Sequence, residues 1–300
     1  MNLVNHRALT LSALALGATK LACAGGMVVP AYFYPNDGGN YGDDWYQLAA
    51  GAAYMQANGL NGYNTLIAVG NPNSGPGSAE DPNYLSAFTN VRANKGKVVG
   101  YVWTNYGAQP LATVENQIKQ WVSWYGSQLD GIFLDGWGGY QSGNIPGVKP
   151  AMSYLTYYQD LYNYVTKTEK LPVVVANPGW AFDATQTNPA CVATATIFCV
   201  DEQPYSNITA GYPLPLWLQT AGNTTKGCVI YYQLPLNQPS TLTSVVETAK
   251  SEGASWIYCT DNQSASNPYN NIPGVASGNP DGQWNSYWGN EEWSVAQATG

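Results

Sequence analysis

Histidine is almost missing from this 300-residue chain: the one copy is His6. It sits in an N-terminal stretch that reads as a secretory leader. Arg7 supplies a positive start, Ala8 to Ala18 an apolar run, and Ala22-Cys23-Ala24 a small-residue cleavage signal. Removal of residues 1–24 leaves a mature domain, 25–300, without histidine. That excludes a Ser-His-Asp or Cys-His nucleophile and any histidine-ligated metal centre. Proton transfer then falls to carboxylates, tyrosines or lysines. No metal or organic cofactor is expected.

Charge is scarce too, at 10% of residues, and unbalanced, with 11 basic side chains against 19 acidic. Loss of the leader takes Arg7 and Lys20 but no acid, deepening the net charge from −8 to −10. There is no Lys/Arg cluster, which argues against a nucleic-acid partner. A neutral or cationic polymer suits the acidity better, although solubility in an acidic medium would also explain it. No stretch after the leader is long and apolar enough to span a bilayer, so no membrane partner is expected. No G-x-G-x-x-G follows the first strand-like run, which removes the usual dinucleotide signal.

Cysteines are few, and none falls in a C-x-x-C pair. Four remain after the leader: Cys191, Cys199, Cys228 and Cys259. An even number in a secreted chain points to two disulfides. Cys191–Cys199 and Cys228–Cys259 are the expected local pairs. Sequons at Asn207, Asn223 and Asn262 are glycosylation candidates in a eukaryotic host.

What is present is a repeating pattern. Eight strand-like runs lie near 28–34, 64–69, 97–103, 130–135, 172–176, 196–200, 227–232 and 255–260. Most are continuous stretches of Val, Ile, Tyr and Phe, as expected of strands buried on both faces. Helix-like stretches fall near 42–58, 81–95, 111–125, 151–169 and 241–252. In the third, Val114, Ile118, Trp121, Val122 and Tyr125 share one face. The links after strands five and six are less regular. Alternation of β and α units implies a parallel sheet, and eight units suggest a closed (β/α)8 TIM barrel in the α/β class. A doubly wound open sheet is the alternative. The tail from Asn262 onward is rich in Asn, Pro, Gly and Ser but carries Trp284, Tyr287, Trp288 and Trp293. So many aromatics predict a tail folded back over the barrel as an extension of the single domain.

In such a barrel the site is built at C-terminal strand ends. These ends carry Tyr32, Tyr34, Asn71, Tyr101, Trp103, Asp135, Asn177, Glu202, Tyr232, and Thr260 with Asp261. Asn73 and Trp137 lie in the adjoining turns. Rings that stack on a pyranose face and amides that bond its hydroxyls are what sugar recognition needs. Any single ring is more often core than platform, and an Asp before Gly136 is also an ordinary turn former. The joint placement of Asp135 and Glu202, far apart in sequence yet both at strand ends, favours the two-carboxylate chemistry of glycoside hydrolysis.

The chain resembles the spherulin-4-like (spherulation-specific) family, related to glycoside hydrolase family 135. The likeness runs in order through Val29 to Pro35, Asn71 to Gly77, Asp81 to Tyr84, Gly100-Tyr101-Val102 with Tyr106-Gly107, Gly131 to Asp135, Asn177-Pro178-Gly179 and Asn267-Pro268-Tyr269. It implies a (β/α)8 endo-acting hydrolase of α-1,4-linked N-acetylgalactosamine, with Asp135 and Glu202 at the family's two acidic positions. The pattern departs at Gly136, where a second acid commonly follows the strand-four aspartate. The expectation is a secreted or cell-wall monomer with a polysaccharide substrate. In it Asp135 is the nucleophile of a retaining reaction and Glu202 the acid/base. Tyr32, Tyr34, Asn71, Asn73, Tyr101, Trp103, Trp137, Asn177 and Tyr232 would contact sugar. The alternatives are a non-catalytic carbohydrate-binding barrel and a structural coat or wall protein.

Overall fold

The computed structural model describes residues 25–36, 43–60, 62–138, 154–180, 189–208, 214–235, 238–274 and 286–297. The expected leader and Trp284 lie outside them. Eight parallel strands close into a barrel in sequence order: β1 (Gly25–Ala31), β2 (Tyr63–Gly70), β3 (Lys97–Trp103), β4 (Gly131–Asp135), β5 (Val173–Asn177), β6 (Ile197–Pro204), β7 (Gly227–Tyr232) and β8 (Trp256–Cys259). The helices are α1 (Asp44–Asn58), α2 (Pro82–Ala93), α3 (Leu111–Tyr125), α4 (Tyr154–Asn163), the single turn α5 (Tyr205–Ile208), α6 (Pro239–Ser251) and α7 (Ser286–Gln297). No helix among the described residues is long and apolar enough to cross a membrane.

Local chemistry sets these boundaries. Asp43 caps α1 by accepting from the Trp45 N–H at 2.8 Å. Asp81 caps α2 through Asn83 and Tyr84, with Pro82 in the first turn where its missing N–H costs nothing. On α3 the buried residues are Val114, Ile118, Trp121 and Tyr125, the face read from the sequence. Trp121 also anchors its indole N–H on the Tyr101 carbonyl at 2.8 Å, fixing the helix over β3. The links after β5 and β6 hold only 3-10 turns and α5 among the described residues.

The first strand lies three residues earlier than its composition suggests. The aromatic run Tyr32-Phe33-Tyr34 reads as strand, but the backbone leaves β2 after Ala31. The Tyr32 N–H then donates to Tyr269 of the tail at 3.1 Å. The tail does fold back: residues 262–274 run across the C-terminal mouth, and the Ile272 N–H reaches Asp44 of α1 at 3.3 Å. Beyond it α7 packs against α1 and α6 as the last outer helix, with Trp288 buried.

The cysteine pairing requires correction. Cys199, Cys228 and Cys259 are buried free thiols, so neither expected bridge is formed. On the β7–β8 ladder Cys228 faces Trp256, while Cys259 faces Tyr231. That three-residue offset is about 10 Å along the strands, beyond the roughly 7 Å limit between bridged Cα atoms. Cys199 instead lies beside Cys228 in register.

Candidate active site

Asp135 ends β4. The register sets Trp103 of β3 on one side of it and Asn177 of β5 on the other. Aligned residues of a parallel ladder share a face, so these three side chains stand together at the mouth. One layer below, Tyr101 stacks on Phe133 at 6.0 Å and raises its hydroxyl to Asp135 Oδ2, 2.5 Å away.

Glu202 reaches the same place by a different device. Strict alternation from Cys199, which faces the interior, would turn Asp201 inward and Glu202 outward. The β6–β7 register slips by one residue between Cys199 and Asp201, so that Glu202 aligns with Ile230. This β-bulge rotates Glu202 into the mouth. Asp201 is turned to the outer face, where it accepts from Tyr231 Oη at 2.9 Å and Gln203 Nε2 at 2.8 Å.

Asn177 joins the two acids. Its Nδ2 donates to Asp135 Oδ1 at 2.9 Å and to Glu202 Oε2 at 2.7 Å. The two acceptor oxygens therefore lie within the reach of two hydrogen bonds, roughly 5–6 Å at most. Glu202 Oε1 accepts from Tyr269 Oη at 2.6 Å. Tyr32 packs edge-on against both Tyr101 and Tyr269, at 5.6 Å each, and Tyr232 lies edge-on to Tyr269 at 6.2 Å.

Burial is the main influence on Glu202 and raises its pKa. Hydrogen bonds from Tyr269 and Asn177 oppose the rise, and the charge on Asp135 adds to it. Burial and the neighbouring carboxylates also keep Tyr32, Tyr101 and Tyr269 protonated well above the usual phenol range, so the two bonding hydroxyls stay donors.

Thus Tyr32, Tyr101, Asp135, Asn177, Glu202 and Tyr232 converge, with Trp103 beside them, 41% exposed. Other expected contacts fall elsewhere. Tyr34 sits on the rim, its hydroxyl bonded to Asp81 at 3.1 Å. Asn71 accepts from the Gly75 N–H at 3.0 Å, and the Asn73 N–H donates to the Gly75 carbonyl, so both close the turn after β2. Trp137 is corrected from sugar contact to core. It is 1% exposed, with its ring against Tyr158 and Phe198. Asn262 is corrected as a glycosylation candidate, because it is buried and its amide is bonded to Asn270, Asn271 and the Ser264 N–H. Asn207 is exposed and Asn223 half-buried. The residue that strand-end reasoning missed is Tyr269. It arrives from the tail, and only the Asn267-Pro268-Tyr269 motif marked it.

Gly136 follows Asp135 with φ 62°, in the left-handed region. A Cβ there would lie 3.2 Å from Trp103 Nε1 and from the Tyr106 nitrogen. The position thus shapes the turn that seats Trp103. Gly136→Ala should lower stability by about 1–2 kcal/mol, the usual cost of a left-handed L-residue. A urea midpoint equal to that of the native protein would show the turn to be more plastic than this.

Among the described residues no group of three or more His, Cys, Asp or Glu side chains is placed to hold a metal ion.

The family model for spherulation-specific family 4 matches residues 26–278. Spherulin-4 of Physarum polycephalum is 27% identical over 257 residues, covering 84% of this chain and 68% of the relative. The crystal structure of Aspergillus clavatus Sph3 in complex with GalNAc aligns with a TM-score of 0.68 and 20% identity. It covers 92% of this chain and 99% of that one, a likeness of fold. With its family match spanning nearly the whole described barrel, the chain belongs to spherulation-specific family 4.

Proposed function

We propose that this protein is a glycoside hydrolase that cleaves galactosamine-containing polysaccharide, as an endo-α-1,4-N-acetylgalactosaminidase, with retention. The observation that carries the reading is the Asn177 amide between Asp135 and Glu202. An acid pair held this close matches the separation of about 5–5.5 Å used by retaining enzymes, and is too tight for the about 6.5–9.5 Å of inverting ones. The choice of sugar is supported by the GalNAc bound to the structural relative. The half-exposed Trp103 beside Asp135 is suited to stack on a pyranose ring.

In this mechanism Asp135 attacks the anomeric carbon while Glu202 protonates the departing oxygen, giving a glycosyl ester on Asp135. Formation of the ester removes the Asp135 charge. One cause holding the Glu202 pKa up then disappears, while the Tyr269 and Asn177 bonds that lower it remain. Glu202 is thereby readied to take a proton from water in the second step. The protein works as a secreted or wall-associated monomer.

The test is incubation of the purified mature protein with N-acetylated and with deacetylated α-1,4-galactosaminan, with and without chelator, followed by mass spectrometry of the products. Oligosaccharides of mixed length, unaffected by chelation, are the expected result. Release of monosaccharide alone would overturn endo action, and loss of activity restored by added metal would overturn the carboxylate-only chemistry.

A further inference from the structure

Asn177 has no side-chain donor left for a sugar hydroxyl. One Nδ2 hydrogen goes to each acid. Its Oδ1 accepts from the Gly179 N–H at 2.9 Å, and its backbone carbonyl accepts from the Trp137 N–H at 2.9 Å. The Gly179 bond also fixes the orientation of the amide, because a flipped side chain would aim its oxygen at two carboxylates. The residue is buried at the end of β5, with the β4 ladder on one side of it.

We propose that Asn177 is a positioning residue that sets the spacing and the charge balance of Asp135 and Glu202, and that it does not bind substrate. The proposal rests on the reading of those acids as nucleophile and acid/base. Its physical content is that one amide dipole serves two carboxylates in turn. Before bond cleavage Asp135 carries the full charge and draws the amide more strongly. Once Asp135 is an ester, Glu202 is the charged partner, and the same donor favours its ionised form. The groups facing Glu202 are Asp135 from β4, Tyr101 from β3, Tyr32 after β1, Cys199 from its own strand, Tyr232 from β7 and Tyr269 from the tail. All of these except Asp135 are neutral at working pH, so removing the Asn177 donor leaves Glu202 with Tyr269 as its remaining strong partner.

The test compares native protein, Asn177→Ala and Asn177→Gln by carboxyl-carbon NMR titration, with Glu202 assigned through Glu202→Gln. Turnover and oligosaccharide affinity are measured on the same samples. In Asn177→Ala, Glu202 should titrate at higher pH than in native protein. The kcat should fall by about 10²-fold or more, as for other lost positioning, while Kd for an N-acetylgalactosamine oligosaccharide changes less than threefold. A Kd raised tenfold or more with an unmoved Glu202 titration would make Asn177 a sugar ligand and overturn the proposal. An unmoved titration with unchanged kcat would overturn it as well. Absence of turnover in the native protein would sink the hydrolase reading instead, and the NMR shift and the binding measurement would still decide the role of Asn177.

Discussion

Asp135→Asn should abolish turnover on every substrate, because an amide cannot form the glycosyl ester. Glu202→Gln should behave differently, and the difference depends on the leaving group. A sugar leaving group needs protonation, so polymer cleavage should fall by roughly 10²–10⁴-fold, the usual worth of general acid catalysis. An activated aryl glycoside departs unaided, so its first step should be nearly intact. Its second step should stall for want of a base, and added azide should rescue it with retained configuration. Equal losses on both substrates, without azide rescue, would remove Glu202 from the acid/base role. Full activity in both variants would move the site to other acids, of which Asp201 and Asp261 are bonded elsewhere in this fold.

Glu292→Leu should make the protein more stable at neutral pH. Glu291 and Glu292 of α7 are both 0% exposed. Glu291 accepts from the Cys259 N–H, supplying an acceptor at a seam where β8 pairs with β1 only through Gly26 and Trp256. Its other oxygen and both oxygens of Glu292 have no hydrogen-bond partner among the described residues. Glu292 lies against Gly51 of α1, where a Cβ would fall 1.7 Å from its Oε1. Burial, and then the neighbouring acid charge, raise the pKa of Glu292; burial does the same for Glu291. A folded-state pKa above the unfolded value means that the folded state holds its proton longer. Stability is then greatest below the unfolded glutamate pKa of about 4.3 and falls as pH rises above it. Asp44, Asp201, Glu202 and Asp261 are shifted in the same direction, burial being the largest cause for each. The native protein should therefore melt at a higher temperature at pH 5 than at pH 8. Removing Glu292 should add on the order of 1–3 kcal/mol at pH 8 and much less at pH 5, since a buried polar group without a partner costs about that much. Melting temperatures that rise from pH 5 to pH 8, or a variant less stable at pH 8, would contradict this.

Much of the barrel is legible in the sequence because its strands are buried on both faces and so appear as unbroken apolar runs. Asp135 is legible for a related reason: an acid that ends such a run has little place to go but the mouth. Glu202 is harder to read. The pair Asp201-Glu202 gives no local sign of the bulge that selects between them, since a bulge is a property of two strands together. The same limit governs the thiols, whose neighbours follow from ladder register. Trp137 looks like a loop ring among glycines, yet its N–H is tied to Asn177 and its ring is drawn under α4. The last helix hides behind a Gly- and Asn-rich tail, and its two buried glutamates break the amphipathic pattern that would announce it. Tyr269 is invisible to strand-end reasoning, because the tail carries it back across the mouth after the barrel has closed.

A retaining pair of Asp135 and Glu202 acting on a galactosamine polymer releases product with the anomeric configuration of the substrate. Proton NMR of the first-formed products from native protein and N-acetylated α-1,4-galactosaminan tests it most directly. Reducing ends should appear first as the α-anomer, from the native protein and not from Asp135→Asn. First appearance of the β-anomer, or saturable binding of the polymer without any new reducing ends, would contradict it.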